Sequence, residues 1–243
     1  MIHYHGLPIT PDTCAMRAIK SGHAFISFAH SGQLSIALEL SQSFAIDNGA
    51  FTAWKSGKPI KNWQPFYDWA LDVLKYAHCD FAVIPDVIDG TEIDNDFMLD
   101  DCPLPIFSSV PVYHMHESLD RLERLINKYP RIALGSSGEF SSVGNSEWWK
   151  RMNEMMRIAC FDDGRPKVKM HGLRMLNPAV FSLLPLSSAD STNIGRNIGI
   201  DKKWNGGYSP ATKEMRAAVM RDRIESINAA PYFKFLEDQQ CLF

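Results

Sequence analysis

The stretch PVYHMHESLDRLERLINKYPRIALGSS, residues 111–137, decides the fold class. It predicts an apolar strand over 111–116, a helix over 117–129 with leucine and isoleucine at helical spacing, and a second apolar strand over 131–137. Because one helix connects the two strands, we expect them to lie parallel in one sheet.

The same alternation of strand and helix continues along the chain. Further strands are predicted over 23–30, 43–48, 81–86, 167–173 and in a short piece that ends at Asp190. Further helices are predicted over 62–77, 145–160 and 209–230. The chain contains no internal repeat, low-complexity tract or linker, so we expect one α/β domain, residues 1–243, built on a parallel sheet.

Polar residues recur where the predicted strands end, and this favours a barrel over an open sheet. In a TIM barrel the carboxyl ends of the strands form a rim that carries the active site. The sequence therefore predicts a single-domain (β/α)8-type TIM barrel, regular or with an irregular or incomplete ring. The residues at its rim are Asp47, Asn48, Asp86, His114, His116, Gly135 to Ser137, His171 and Asp190.

Composition excludes several classes of protein. Hydrophobic residues make up 45% and charged residues 22% of the chain, as in ordinary globular domains. The apolar runs are far shorter than a membrane span requires, and the N-terminus lacks the apolar core of a signal peptide, so a cytoplasmic location without membrane contact is expected. The five cysteines are scattered and form no CxxC pair, which gives no indication of a zinc or redox motif.

Charge is distributed unevenly along the chain. Residues 80–101 contain eight acidic and no basic residues, whereas residues 165–230 contain eleven basic and five acidic ones. Two solvated surfaces would explain this pattern, and so would a C-terminal third that contacts phosphate.

Each rim residue also has an ordinary structural interpretation. Asp47 in IDNGAF fits a turn, and Asp86 after Pro85 fits a helix cap. His171 fits a hydrogen-bonded core histidine. Residues 135–138 fit a tight loop, although backbone N–H groups there would also hold a planar ligand or an anion.

Five segments, taken in order, resemble the motifs of the tRNA-guanine transglycosylase superfamily. The likeness is closest to the compact DpdA-type DNA 7-deazaguanine transglycosylases of bacteriophages and bacteria. It runs from about Tyr4 to Asn197. The segments are FAIDNGAF (44–51), VIPDVIDG (83–90), IALGSSGEF (132–140), HGLRMLNP (171–178) and SADSTNIGRNIG (188–199).

The chain departs from the tRNA enzymes of this family in two respects. It has no CxCxxC arrangement, so the resemblance carries over no zinc and no other metal or cofactor. It is also much shorter, which favours DNA over tRNA as the substrate. A phage-encoded protein of this kind would work in the cytoplasm of the host cell.

The resemblance implies an exchange of bases in DNA. Asp190 would be the nucleophile that attacks C1′ of a guanine nucleotide, and Asp47 would be the general acid and base. The implied partners are guanine-containing DNA, flipped out or single-stranded, and a free 7-deazaguanine base of the preQ0 type.

The resemblance also implies residues for binding. Asp86 would accept hydrogen bonds from the edge of the base, and the backbone of Gly135 and Ser136 would face its carbonyl. Stacking candidates are Phe51, Tyr113 and His114. Asn48 and His171 complete the predicted base site. The predicted phosphate contacts are Arg196, Asn197, Lys202 and Lys203.

Two other functions compete with this interpretation. The pairs HYH (3–5) and HMH (114–116), together with His171 and Asp190, imitate the ligands of metal-dependent barrel hydrolases, because HxH in a strand places both imidazoles on one face. Against this, no clear apolar strand precedes HYH. A nucleic-acid-binding module without catalysis would require the set Asp47, Asp86 and Asp190 to be accidental.

Overall fold

The structure is a computed structural model that describes residues 1–201 and 209–235. Its nine strands form one parallel sheet in the order β5-β4-β3-β2-β1-β9-β8-β7-β6. The strands are β1 (Ile2–Leu7), β2 (His23–Ser27), β3 (Ser43–Asp47), β4 (Cys79–Val83), β5 (Ser109–Val110), β6 (Val112–His114), β7 (Arg131–Gly135), β8 (Lys169–Gly172) and β9 (Ser188–Ser191).

The two ends of the sheet meet at Pro111, which separates β5 from β6. On one side the N–H of Ile84 donates to the carbonyl of Val110 at 2.9 Å, and on the other the N–H of Ala133 donates to the carbonyl of Pro111 at 2.9 Å. Proline has no N–H to continue the ladder, so one extended segment is divided into two short strands. The nine strands thus occupy eight positions of a nearly closed TIM barrel, as the sequence predicts.

Helices between the strands form the outer layer. They are α1 (Asp12–Ile19), α2 (Leu34–Leu40), α3 (Ala50–Lys55), α4 (Gln64–Val73), α5 (Glu92–Asp100), α6 (Leu119–Lys128), α7 (Ser146–Ala159), α8 (Pro178–Phe181), α9 (Asn193–Asn197) and α10 (Lys213–Glu225). Helix α6 lies within the predicted range 117–129 and begins where Ser118 accepts from the N–H of Arg121. Helix α10 begins later than the predicted residue 209, because Thr212 caps it. No helix among the described residues is long and apolar enough to cross a membrane.

Side chains along each strand alternate between the barrel interior and the helix layer. Tyr4 of β1 packs inside the barrel with Phe25 and Phe81, at ring-centroid distances of 6.0 and 5.8 Å. Its neighbours His3 and His5 therefore point outward. Nε2 of His3 lies 2.9 Å from the carbonyl of Ile227, and His5 contacts Glu225 of α10.

Strand β1, which contains HYH, was not among the strands predicted from the sequence. It lies at the centre of the sheet, paired with β2 and β9. The strand is hard to recognise in the sequence because its buried positions include two histidines and a tyrosine. Polar partners compensate the burial of these three side chains.

Candidate active site

The carboxyl ends of the strands surround a pocket of about 910 Å³. It is lined by residues that were singled out in the sequence, and these come from five of the eight strand positions. They are Asp47, Asn48, Phe51, Asp86, His114, His116, Gly135, Ser136, Ser137, Gly138, Asp190 and Arg196. The alternation along the strands explains this convergence, because the last inward position of each strand is the one at the rim.

Asp47 ends β3 and serves both a turn and the pocket. Its Oδ2 accepts from the N–H of Gly49 at 3.0 Å, and Gly49 has a φ of +81° in the left-handed region. Burial, the charge of Asp86 and the charge of Asp190 raise the pKa of Asp47 to about 7. A carboxyl of this kind is able to donate and accept a proton near neutral pH.

Asp86 lies between an amide and an imidazole. Its Oδ1 accepts from Nδ2 of Asn48 at 3.1 Å, and its Oδ2 lies 2.9 Å from Nε2 of His114, off the line of a good hydrogen bond. Asp86 is not the cap of the next helix, because Thr91 caps α5 through a capping box with Asp94. The Asp86 carboxylate is therefore held in the pocket and does not cap the backbone N–H groups of a helix.

His114 ends β6 and is buried. Burial alone would lower its pKa, but the contact with Asp86 and the charges of Asp86 and Glu117 outweigh it, and the net pKa of His114 is raised above its usual value. The pocket thus contains an imidazolium beside a carboxylate at weakly acidic pH.

A buried polar cluster fixes this pair from behind. Oε2 of Glu117 accepts from the N–H of His114 at 2.8 Å and from Arg121 at 2.6 Å, and its Oε1 accepts from Asn95 at 3.0 Å. Asn95 also accepts from the N–H of Val87, directly after Asp86, at 2.8 Å. The cluster connects the Asp86 turn to β6. No sequence pattern singled out Asn95 or Glu117.

Asp190 lies one residue before the end of β9 and is 5% exposed. Its Oδ1 accepts from the N–H of Arg174 at 2.9 Å and lies 3.3 Å from Nε2 of His171. His171 itself is fully buried below the pocket, stacked on Phe25 at 5.3 Å, with Nδ1 2.9 Å from Oγ of Ser188. His171 is thus a core histidine that supports Asp190, and it does not line the pocket.

The loop after β7 is tightly packed against β6. A Cβ on Gly135 would lie 3.3 Å from Cγ1 of Val112, so a larger residue would crowd the neighbouring strand. The hydroxyl of Ser136 accepts from the indole N–H of Trp148 at 2.9 Å. That bond holds the loop to α7 and leaves the Ser136 backbone at the pocket wall.

Several predicted residues lie elsewhere. Tyr113 is wrong as a stacking candidate, because it points outward from β6 and donates to the carbonyl of Glu117 at 2.9 Å. Asn197 does not line the pocket, and its amide donates to the Asn193 carbonyl at 2.9 Å. Lys202 and Lys203 lie outside the described residues.

The predicted ligand set of the hydrolase alternative does not come together. His3 and His5 point outward to the helix layer, whereas His171 lies inside the barrel among aromatic rings. Within residues 1–201 and 209–235, no group of three His, Cys, Asp or Glu side chains is arranged to hold a metal ion.

Two of the pocket residues that had not been singled out in the sequence shape its mouth. Arg174 extends over Phe51, with its guanidinium carbon 4.2 Å from the ring centroid, and covers one face of that ring. Trp54, 40% exposed, lies beside Phe51 at a ring distance of 5.8 Å. Arg174 is the second residue after β8, in HGLRMLNP, and this position near a strand end was the signal for it.

Fold and site together define a TIM barrel with three carboxylates, from β3, β9 and the turn after β4, at the carboxyl ends of its strands. No protein-family model and no curated protein matches the chain. A mutant tryptophan synthase alpha-subunit from the hyperthermophile Pyrococcus furiosus is 10% identical with a TM-score of 0.53, over 93% of this chain and 97% of that one. A second mutant of that subunit is 11% identical with a TM-score of 0.50, over 93% and 98%. At this identity the likeness establishes the barrel fold alone.

Proposed function

We propose that the protein exchanges guanine in DNA for a 7-deazaguanine base through a covalent bond between Asp190 and the sugar. The observation that carries the proposal is the convergence of Asp47, Asp86 and Asp190 in one pocket, with the pKa of Asp47 raised to about 7. Two carboxyl groups in different protonation states are what such a displacement needs.

In the first half of the reaction, an Asp190 oxygen bonds to C1′ and the bond from C1′ to guanine breaks. The guanine leaves with the bonding electron pair and a proton from Asp47. Asp190 suits this step because Oδ1 accepts from the N–H of Arg174 and lies against the ring of His171, so the carboxylate keeps one orientation.

In the second half, the entering base loses a proton to Asp47 and its nitrogen attacks C1′, which releases Asp190. Both halves use the same two carboxyl groups in opposite roles. The proton that leaves with guanine is thus restored by the entering base, and no cofactor takes part.

Asp86 would recognise the base. A carboxylate that accepts from a ring N–H and an exocyclic amine selects guanine-type bases over adenine. Asn48 and His114 hold Asp86 in place, and the backbone of Gly135 and Ser136 forms the neighbouring wall. Because DNA is the substrate, we place the reaction in the cytoplasm, that of the host if the gene belongs to a phage.

The direct test is to trap the covalent adduct. Protein mixed with a guanine-containing oligonucleotide, without an entering base, should give a species that survives denaturing electrophoresis. Peptide mass spectrometry should locate the sugar on the peptide containing SADSTN.

Two Asp→Asn variants complete this test. Asp190→Asn should bind DNA but form no adduct, whereas Asp162→Asn, a change on the exposed surface, should react like the wild type. Base exchange at the wild-type rate by Asp190→Asn would end the proposal.

A further inference from the structure

Arg174 has an unusual backbone conformation for its residue type. Its φ is +57°, in the left-handed region that side chains other than glycine rarely adopt. Non-glycine residues in this region cost free energy and concentrate at functional sites. Here the conformation directs the Arg174 N–H to Asp190, 2.9 Å from its Oδ1.

The Arg174 side chain crosses the mouth of the barrel. It starts after β8, at the seventh strand position, and its guanidinium stacks on Phe51, which follows the third. One terminal nitrogen donates to the carbonyl of Ser136 at 3.3 Å, after the sixth position. The guanidinium is thus fixed above the pocket by a ring on one side and a carbonyl on the other.

The charge of Arg174 is available to a ligand. The side chain is exposed, and no carboxylate of residues 1–201 and 209–235 forms an ion pair with it. The pocket is lined by five acidic residues, which would repel an anion that entered alone: Asp47, Asp86, Asp89, Glu139 and Asp190. An unpaired cation at the mouth offsets this repulsion at one defined point.

We infer that Arg174 forms a subsite for the phosphate next to the sugar that Asp190 attacks. This inference rests on the proposed function. The path from C1′ to the 5′-phosphorus of a nucleotide has as many covalent bonds as the path from Cα to Cζ of arginine. A sugar held at Asp190 therefore places its phosphate within reach of the guanidinium.

Fold and chemistry support this assignment. In TIM barrels, the loops after the seventh and eighth strands frequently bind phosphate, and those loops contain Arg174 and Arg196 here. A planar guanidinium binds phosphate oxygens through two parallel hydrogen bonds, and its stacking on Phe51 limits the entropy lost on binding. Arg174 is a binding residue in this scheme and takes no part in the chemical step.

The test compares deoxyguanosine with its 5′-monophosphate by calorimetry, in the unreactive Asp190→Asn background. The protein should bind the monophosphate at least about tenfold more tightly, as one charge-assisted pair predicts. Arg174→Gln should remove this preference and leave the affinity for deoxyguanosine within about twofold. The control Arg17→Gln removes the same charge from α1 and should keep the preference.

A second variant guards against a folding defect. Arg174→Gly accepts a φ of +57° without strain, so its fold is secure, and it should lose the preference as well. A preference that survives both Arg174 substitutions would overturn the subsite. The subsite would also be overturned if the protein bound both ligands equally and its binding of inorganic phosphate did not depend on Arg174.

The outcomes separate the subsite from the reaction. If nucleoside mass spectrometry of treated DNA shows no 7-deazaguanine while the preference still depends on Arg174, the exchange fails and the subsite stands. If base exchange is found and Arg174→Gln leaves the preference for the monophosphate intact, the proposed exchange stands and the subsite fails.

Discussion

His171 lies directly beneath Asp190, with Nε2 of the imidazole 3.3 Å from Oδ1 of the carboxylate and the ring enclosed by Phe25, Phe81 and Tyr4. One close neighbour of the candidate nucleophile is thus a fully buried side chain whose position is set by packing. Whatever fixes this ring also fixes the carboxylate.

His171→Phe should therefore slow adduct formation at Asp190 by about tenfold, because it keeps the aromatic packing but removes both ring nitrogens. It should also lower the free energy of unfolding by about 1–3 kcal/mol, since Ser188 loses its partner. The control His3→Phe also removes a buried strand histidine beside a phenylalanine, Phe181 at 5.5 Å. His3→Phe should be less stable than the wild type but form the adduct at the wild-type rate. Equal rates of adduct formation in the two variants would contradict the role of His171.

The pKa of Asp47 predicts the pH dependence of adduct formation. In the proposed reaction the protonated carboxyl is the acid for the leaving base, and its pKa is about 7. The single-turnover rate should thus be highest below that pH and fall as pH rises through it. Asp47→Asn should be slow at all pH values and show no such fall. A wild-type rate that increases from pH 6 to 8 is the contrary result.

The same group should make stability depend on pH. Its folded pKa lies above the unfolded value of 3.8, so the folded state binds the proton more tightly. Stability is then undiminished below pH 3.8 and is lost progressively as pH rises toward 7. Asp47→Asn keeps an oxygen for Gly49, and it should be more stable than wild type at pH 8 by about 2 kcal/mol. In thermal melts, the control Asp162→Asn should be no more stable than the wild type, either at pH 8 or below pH 3.8.

Asp86→Ala should weaken binding of guanine-type bases by about 1–3 kcal/mol and relax discrimination against adenine, because it removes the acceptor for two donors. The matched control is Asp89→Ala, a loss of the same charge from an exposed residue that also lines the pocket. Competition binding with free guanine and adenine measures the effect. Unchanged selectivity in Asp86→Ala would rule out the role of that residue.

Arg196 and Asn197 are adjacent but differently placed, which makes them a matched pair. Arg196 is exposed at the pocket, whereas the amide of Asn197 is engaged with Asn193. Arg196→Ala should weaken binding of DNA of any sequence and reduce the slope of log affinity against log salt by about 1, while Asn197→Ala should change neither. Lys202→Ala with Lys203→Ala should act like Arg196→Ala. Binding that is insensitive to salt would place the phosphate surface elsewhere.

The sequence predicted the barrel and most of the pocket for one reason. Polar residues that follow apolar strands can be counted in a sequence, and a parallel barrel brings all such positions to one rim. Asp47, Asp86 and Asp190 are three of these residues, each from a different part of the sheet. The periodicity alone therefore places them in a common pocket, without knowledge of any distance.

The rest of the site depends on contacts that no spacing encodes. Whether His171 lines the pocket or lies beneath it follows from strand register: it pairs with Ser188, two residues before Asp190, so its ring lies one layer too deep to line the cavity. Strand β1 was missed because its buried residues include two histidines, whose partners are in α10 and the segment after it, more than two hundred residues away. Asn95 acts through Glu117, on a separate element, and neither belongs to a recognisable motif.

The aromatic layer of Tyr4, Phe25 and Phe81 closes the barrel below the pocket. In the proposed exchange, the leaving and entering bases must therefore pass through the same pocket mouth and occupy the same binding site one after the other. The kinetics should then be ping-pong, because guanine departs before the second base binds. Double-reciprocal plots should show parallel lines. At high concentration, each base should competitively inhibit the half-reaction of the other. The floor of the barrel thus sets the order of events in the catalytic cycle.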